Sequence, residues 1–262
     1  MFPLPFETAL THVDTVPMIE TFLNFGYWIC AVYILLIFGT QRWMKHRPKF
    51  DLRKPLILWN ACLAIFSICG TFRISWHNMH FATNTNLHEW ICMPNWTVDD
   101  VANYWYLLFA LSKLPELGDT VFIVLRKQPL IFLHWYHHVT VFLYSSYSYV
   151  TYSSTGRLFC NINYFVHSLM YTYYAFRAMG YRPPKMIAMS VTFLQITQMV
   201  VGLVINLLVI YYRAAGLPCA MSSNNNVLSM LMYGSYFILF SMFFCDAYLK
   251  KKVSATKKDK KK

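Results

Sequence analysis

Apolar residues in this chain gather in runs of 19 to 25 residues, and the polar residues collect between the runs. Seven such runs stand at 23–41, 56–75, 104–125, 130–150, 158–178, 186–210 and 228–249. At 1.5 Å of rise per residue, each is long enough to cross a hydrocarbon layer of ~30 Å once tilt is allowed. The pattern predicts an all-α, polytopic membrane protein of seven transmembrane helices. Pro48, Pro55, Pro129, Pro183 and Pro184 punctuate the turns on one side, where backbone groups reach water. No internal repeat or long linker divides the chain. Its predicted parts are an N-terminal segment (1–22), a seven-helix domain (23–249) and a lysine-rich tail (250–262). Residues 1–15 lack a basic n-region and carry Glu7 and Asp14, so no cleavable signal peptide is expected.

Polar residues inside the runs are few, and they share a depth. Counting from the Arg126 end, Asp119 lies ~10 Å in, Glu116 ~15 Å and Lys113 ~20 Å. From Pro129, His134 is ~7 Å in, with His137 and His138 at ~12–14 Å. His167 and Asn163 lie ~15 and ~21 Å from Arg177, and Thr192, Gln195 and Gln198 lie ~10, 15 and 20 Å from Lys185. Ionisable groups in hydrocarbon are costly and face a bundle interior or cavity. Scattered structural residues would have no reason to meet in one layer, so four helices are expected to build a common polar site. His134, His137 and His138 occupy one helix face, and Asn163, His167, Met170, Tyr171 and Tyr174 form a stripe on another. Lys113 beside Glu116 and Asp119 would neutralise charge in place.

The composition is 57% hydrophobic and 13% charged, well below the charge fraction of a soluble domain. A net charge of +12 would suit nucleic acid, but its distribution excludes that partner. With the start of the chain on the lumenal side, 19 of the 23 basic residues fall in cytosolic turns or the tail. This is the positive-inside asymmetry of a membrane protein, with membrane-surface or phosphate binding as a second use. The acceptor Asn95-Trp96-Thr97 then falls in a lumenal loop, which makes Asn95 a glycosylation candidate. Cys92 and Cys219 fall in two lumenal loops, where oxidation is permitted, and are candidates for a bridge. The terminal lysines resemble a retrieval signal for the endoplasmic reticulum.

Three classes of function fit an intramembrane histidine cluster. Membrane di-iron desaturases and hydroxylases share the His-x-x-His-His spacing but need about eight histidine ligands. Only four of this chain's nine histidines lie at the site. A seven-helix receptor matches the helix number but not a buried Lys, two carboxylates and four histidines at one depth. Acyl chemistry remains. The ordered motifs Lys113-x-x-Glu116-x-x-Asp119-Thr120, Phe132-Leu133-His134-x-x-His137-His138, Asn163-x-x-x-His167-x-x-Met170-Tyr171-x-Tyr173-Tyr174 and Thr192-x-x-Gln195-x-x-Gln198 resemble those of the very-long-chain fatty acid elongases. Arg53-Lys54-Pro55-Leu56 and the histidine box look most like the subgroup handling saturated and monounsaturated chains, types three and six.

The resemblance implies a 3-ketoacyl-CoA synthase of the endoplasmic reticulum membrane, with its N-terminus lumenal and C-terminus cytosolic. Acyl-CoA and malonyl-CoA would be its substrates, with no cofactor or metal. Membrane lipid would surround it, and its associates would be the ketoreductase, dehydratase and enoyl reductase of the elongation cycle and a second copy of itself. The helices would enclose an acyl tunnel. No cysteine lies beside the histidines at the site's depth, so an imidazole, His137 by preference, is the expected nucleophile, with direct attack in a ternary complex and no covalent intermediate as the alternative. His134, His138 and His167 would act as base or oxyanion partners, and Glu116 and Asp119 would orient imidazoles. Asn163, Tyr171, Tyr174, Gln195 and Gln198 would line the substrate path. Arg53, Lys54, Arg126, Lys127 and Lys185 are the cations available to CoA phosphates at the cytosolic mouth.

Overall fold

The computed structural model describes residues 2–250, and every regular element among them is helical. The main helices are α1 (His12–Trp43), α2 (Arg53–Asn84), α3 (Leu87–Cys92), α4 (Asp100–Glu116), α5 (Gly118–Leu125), α6 (Phe132–Val150), α7 (Gly156–Met179), α8 (Lys185–Ala214) and α9 (Ser223–Phe244). Four helical segments, His12–His46, Arg53–Asn84, Lys185–Ala214 and Ser223–Leu249, are long and apolar enough to cross a membrane. The protein is therefore an all-helical, multi-pass membrane protein. The lysine tail beyond Lys250 lies outside the described residues.

Local chemistry sets where the helices begin and break. α1 starts at His12, well before its apolar run, because the Asp14 carboxylate accepts the Thr11 N–H at 3.1 Å and caps the first turn. Asn86 and Ser222 cap α3 and α9 from the N-cap position itself, their side-chain oxygens accepting the Glu89 and Asn225 N–H. The third apolar run is two helices. Pro115 has no N–H to donate, and the chain tightens at Leu117 before α5 resumes. Gly118 follows because a Cβ there would meet the Trp59 ring at 2.9 Å, so α5 approaches α2 more closely than any side chain would allow.

Hydrogen bonds identify the two ends of the bundle. At one end Arg53 reaches the Ala178 and Met179 carbonyls, Lys127 reaches the Lys45 carbonyl, and Lys185 reaches the Tyr248 carbonyl. The basic turns thus sit together. At the other end Cys92 and Cys219 form a disulfide, and Ala220 and Ser154 extend the contact through backbone hydrogen bonds. An aromatic core of Trp96, Trp105, Tyr106, Tyr149 and Tyr164 fills the interior toward this second end. The N-terminal segment folds over it. Buried Glu7 accepts from the Leu4 N–H, Trp105 Nε1 and Arg73. Burial alone would raise the Glu7 carboxyl, but these donors outweigh it and hold the group below its ordinary value.

Candidate active site

α4 and α5 carry the charged residues, and the break between them aims those residues at different partners. Lys113 Nζ lies 2.8 Å from Glu116 Oε1 and 3.1 Å from Asn163 Oδ1. Ser112 also donates to Glu116 Oε1, at 3.1 Å. Glu116 Oε2 is buried with no hydrogen-bond partner among the described residues, and it faces His167 Nδ1 at 3.8 Å. Beyond the break, Asp119 turns to other groups. Its oxygens accept from Trp59 Nε1 at 2.6 Å and from the Tyr171 hydroxyl at 2.8 Å. Neither is an imidazole, so the expected orienting of a histidine by Asp119 is corrected, because an indole and a phenol occupy both oxygens. Among the described residues the three charges are not one ion-pair cluster: Lys113 forms its salt bridge with Glu116, and Asp119 forms none.

α6 presents the histidine box along one face. His134 Nε2 lies 3.0 Å from the Thr120 hydroxyl, which lies 2.6 Å from the Tyr33 hydroxyl of α1. The His134 and His138 rings are 4.4 Å apart, and the His137 ring is 5.5 Å from that of His138. His138 Nδ1 is buried without a partner among the described residues. The His137 ring packs 4.9 Å from Tyr236 and near Phe240, and neither of its nitrogens is in a hydrogen bond among the described residues.

These groups meet in a cavity of about 600 Å³, whose wall includes Asp119, His134, His137, His138, Asn163 and His167. Tyr171, Tyr174, Gln195 and Gln198 line it too, and Gln195 Nε2 rests 3.3 Å from Met170 Sδ. Lys113 and Glu116 are not in the wall; they stand behind Asn163 and His167. The cavity runs to the basic end, where Arg126, Gln128 and Arg177 line it. At its inner limit, His137, Asn163, Gln198 and Met199 also line a narrow continuation bounded by Tyr106, Ser148, Gly156 and Phe159.

Of the five cations expected at the mouth, Arg126 alone lines the cavity. Arg53 instead caps the C-terminal carbonyls of α7, Lys127 and Lys185 hold backbone carbonyls, and Lys54 is exposed outside the cavity wall. Tyr33, Trp59 and Arg177 are site residues that the sequence reading did not select, and Thr120, quoted in the first motif, was given no role there. Trp59 lies ~9 Å above Arg53, the depth of Asp119, so counting aromatic hydrogen-bonders by depth would have found it. Asn95 sits at the disulfide end, half-buried, with its Nδ2 3.0 Å from His77 Nε2, and His77 Nδ1 reaches Asp99 at 2.8 Å.

Imidazoles and amides walling a chamber inside an apolar helical bundle define a multi-pass membrane protein with an internal polar reaction space. The sequence model of the GNS1/SUR4 family (ELO) matches residues 18–256, and the chain belongs to that family. It is 47% identical over 247 residues, 93% of this chain and 78% of the relative, to "Very long chain fatty acid elongase 6" of Drosophila melanogaster. It is 42% identical to the protein of that name in Homo sapiens, covering 96% of this chain and 95% of the relative. To "Very long chain fatty acid elongase 3" of Homo sapiens it is 42% identical over 97% of this chain and 93% of the relative.

Proposed function

We propose that this protein is the condensing enzyme of fatty acid elongation, joining a saturated or monounsaturated long-chain acyl-CoA to malonyl-CoA. The products are a 3-ketoacyl-CoA two carbons longer, free CoA and carbon dioxide. Relatives named as elongases over nearly the whole chain support the activity. The observation that carries the mechanism is the position of His137. It stands where the wide cavity meets the narrow continuation, with both ring nitrogens free of hydrogen bonds among the described residues.

His137 attacks the acyl thioester carbonyl, the C–S bond breaks, and CoA leaves as a thiolate that takes up a proton. The acyl chain, now an acyl-imidazole, extends toward the narrow continuation, whose volume of about 30 Å³ must widen to take it. Malonyl-CoA enters from the basic end and loses carbon dioxide, and the C–C bonding pair becomes its enolate. The enolate carbon attacks the acyl carbonyl and the imidazole departs. His138 and the Asn163 amide line the same cavity and are the donors for the developing oxyanion. His167, backed by Glu116, is the base or proton donor. Lys113 and Glu116 act through Asn163 and His167 rather than on substrate. Asp119 positions Tyr171 in the cavity wall. No cofactor or metal enters this scheme.

The same reading holds that seven segments cross the endoplasmic reticulum membrane. α6 and α7 measure ~28 and ~36 Å, and α4 with α5 about 39 Å, against a layer of ~30 Å. Their site residues lower their mean hydropathy, which is why length alone argues for them. The basic end faces the cytosol, and the disulfide and Asn95 face the lumen. Loose association with the other elongation-cycle enzymes and self-association belong to the same reading.

The test is turnover of purified protein in detergent with radiolabelled malonyl-CoA and C12 to C20 acyl-CoAs, beside His137→Ala. Carbon dioxide release, a two-carbon-longer ketoacyl product and an acyl adduct absent from the variant are expected. A strictly sequential rate law without any adduct would refute the covalent step, and no condensation at all would refute the function.

A further inference from the structure

The narrow continuation can lengthen only where its wall gives, and at its closed end the sides are not alike. The Tyr106 hydroxyl donates to Ser148 Oγ at 3.2 Å across that end. Toward α7 the phenol has no room, because it lies so near the Gly156 backbone that a Cβ there would collide with it. On another side Trp96 packs edge-on at 5.0 Å, wholly buried and anchored by its Nε1, which donates to the Ser153 carbonyl at 3.1 Å. The remaining ring contact is with Tyr149, 5.0 Å away, and Tyr149 is held from the N-terminal part of the chain. Its hydroxyl donates to Asn103 Oδ1 at 2.5 Å and lies 2.6 Å from Thr15 Oγ1 at the start of α1. Asn103 Nδ2 donates in turn to the Leu10 carbonyl at 3.2 Å. Among the described residues, none from α1 is in the wall of the cavity or of its continuation.

We infer that Thr15 and Tyr149 are positioning residues for acyl-chain length, through which α1, standing outside the chamber, sets how far Tyr106 can withdraw. A phenol has a single proton, so with that proton given to Asn103 its oxygen accepts from Thr15, and the two bonds together fix the tilt of the Tyr149 ring. In a close-packed interior one ring yields only as far as the ring behind it yields. Releasing Tyr149 therefore lets Tyr106 move back and lengthens the continuation. Neither Thr15 nor Tyr149 touches the substrate. The inference rests on the condensing-enzyme reading and adds to it the residues behind the wall that set its length. Both lie outside the four sequence motifs, and only the packing around Tyr106 singles them out.

The experiment compares kcat/KM for stearoyl-CoA with that for lauroyl-CoA in wild type, Thr15→Val, Thr15→Ser, Tyr149→Phe and the control Thr21→Val, with the melting temperature of each. Ser148 lies ~16 Å beyond His137 along α6, and a lauroyl chain stops short of it. Loss of one neutral hydrogen bond behind the stop is expected to raise the stearoyl-to-lauroyl ratio about fivefold in Thr15→Val and in Tyr149→Phe. Thr15→Ser keeps the hydroxyl and should keep the wild-type ratio. So should Thr21→Val, since Thr21 is exposed and its hydroxyl donates to the Pro17 carbonyl of its own helix at 2.9 Å. Thr15→Val/Tyr149→Phe should shift no further than Tyr149→Phe, because both changes remove the same bond. Equal losses on both thioesters, with a lower melting temperature, would show a purely structural role and overturn the inference. An unchanged ratio in both variants would overturn it as well, and Tyr106→Ala beside them would then show whether Tyr106 alone is the stop. Failure of wild type to condense either thioester would instead overturn the function beneath it.

Discussion

Replacing Lys113 with methionine takes the ammonium from a carboxylate that is only 3% exposed. At the observed 2.8 Å, two unit charges attract by about 6 kcal/mol at an effective dielectric constant near 20, and desolvating both ions offsets much of that. Breaking such a pair from one side is worse than removing it, costing about 3–5 kcal/mol, because the stranded charge keeps its desolvation penalty. For a chain of this size the loss corresponds to a melting temperature lower by about 10 °C. Lys113→Met/Glu116→Gln removes both charges and should regain most of that stability. It should not regain activity, since Glu116 is the group facing His167. Thermal unfolding in detergent and ketoacyl-CoA formation, measured on one preparation, separate the two effects. If Lys113→Met melts within about 2 °C of wild type, or the double variant is less stable than either single one, the pair is not a coupled buried ion pair and the reasoning fails.

The Thr120 hydroxyl joins Tyr33 to His134, so Thr120→Val should lower kcat about tenfold with KM nearly unchanged, and Thr120→Ser should restore it; equal activity of all three would remove His134 orientation from the mechanism. The Tyr106 hydroxyl donates to Ser148 at the end of the narrow continuation, and a Cβ on Gly156 would collide with it. From His137 to Ser148 along α6 is about 16 Å, the length of roughly a dozen methylenes. Tyr106→Ala should therefore shift the preferred acyl-CoA by about two to four carbons, read as the chain-length profile of products; an unshifted profile would place the closed end elsewhere. The Cys92–Cys219 bridge closes a loop of 127 residues, which in the chain-entropy model is worth about 5 kcal/mol. Cys92→Ser/Cys219→Ser should lower the melting temperature by 10 °C or more, about what that energy implies, while the catalytic cavity at the other end keeps its acyl preference; an unchanged melting temperature would show that the bridge adds nothing.

Depth was legible without any structure. A helix advances 1.5 Å per residue, so the distance of His137 or Gln198 from its turn follows from counting. The cost of polar groups in hydrocarbon then made a shared layer informative. The motifs carried by α4 to α8 named the family for the same reason: chemistry at fixed helical spacing survives as a readable pattern. Counting does not report direction around the helix axis or the identity of the neighbour met there. Asp119 and Glu116 are one turn apart, yet the break at Pro115–Gly118 sends one to Trp59 and Tyr171 and the other to Lys113 and His167. Arg53 and Arg126 looked alike as cytosolic cations, and only packing made one a helix cap and left the other in the cavity wall. Tyr33 carried no signal at all, since a tyrosine in an apolar run reads as packing until α1 is seen to set it against Thr120. Periodicity and burial cost act along one chain and so can be read from it; hydrogen-bond partners are chosen among helices far apart in sequence, and that choice exists only once the bundle has closed.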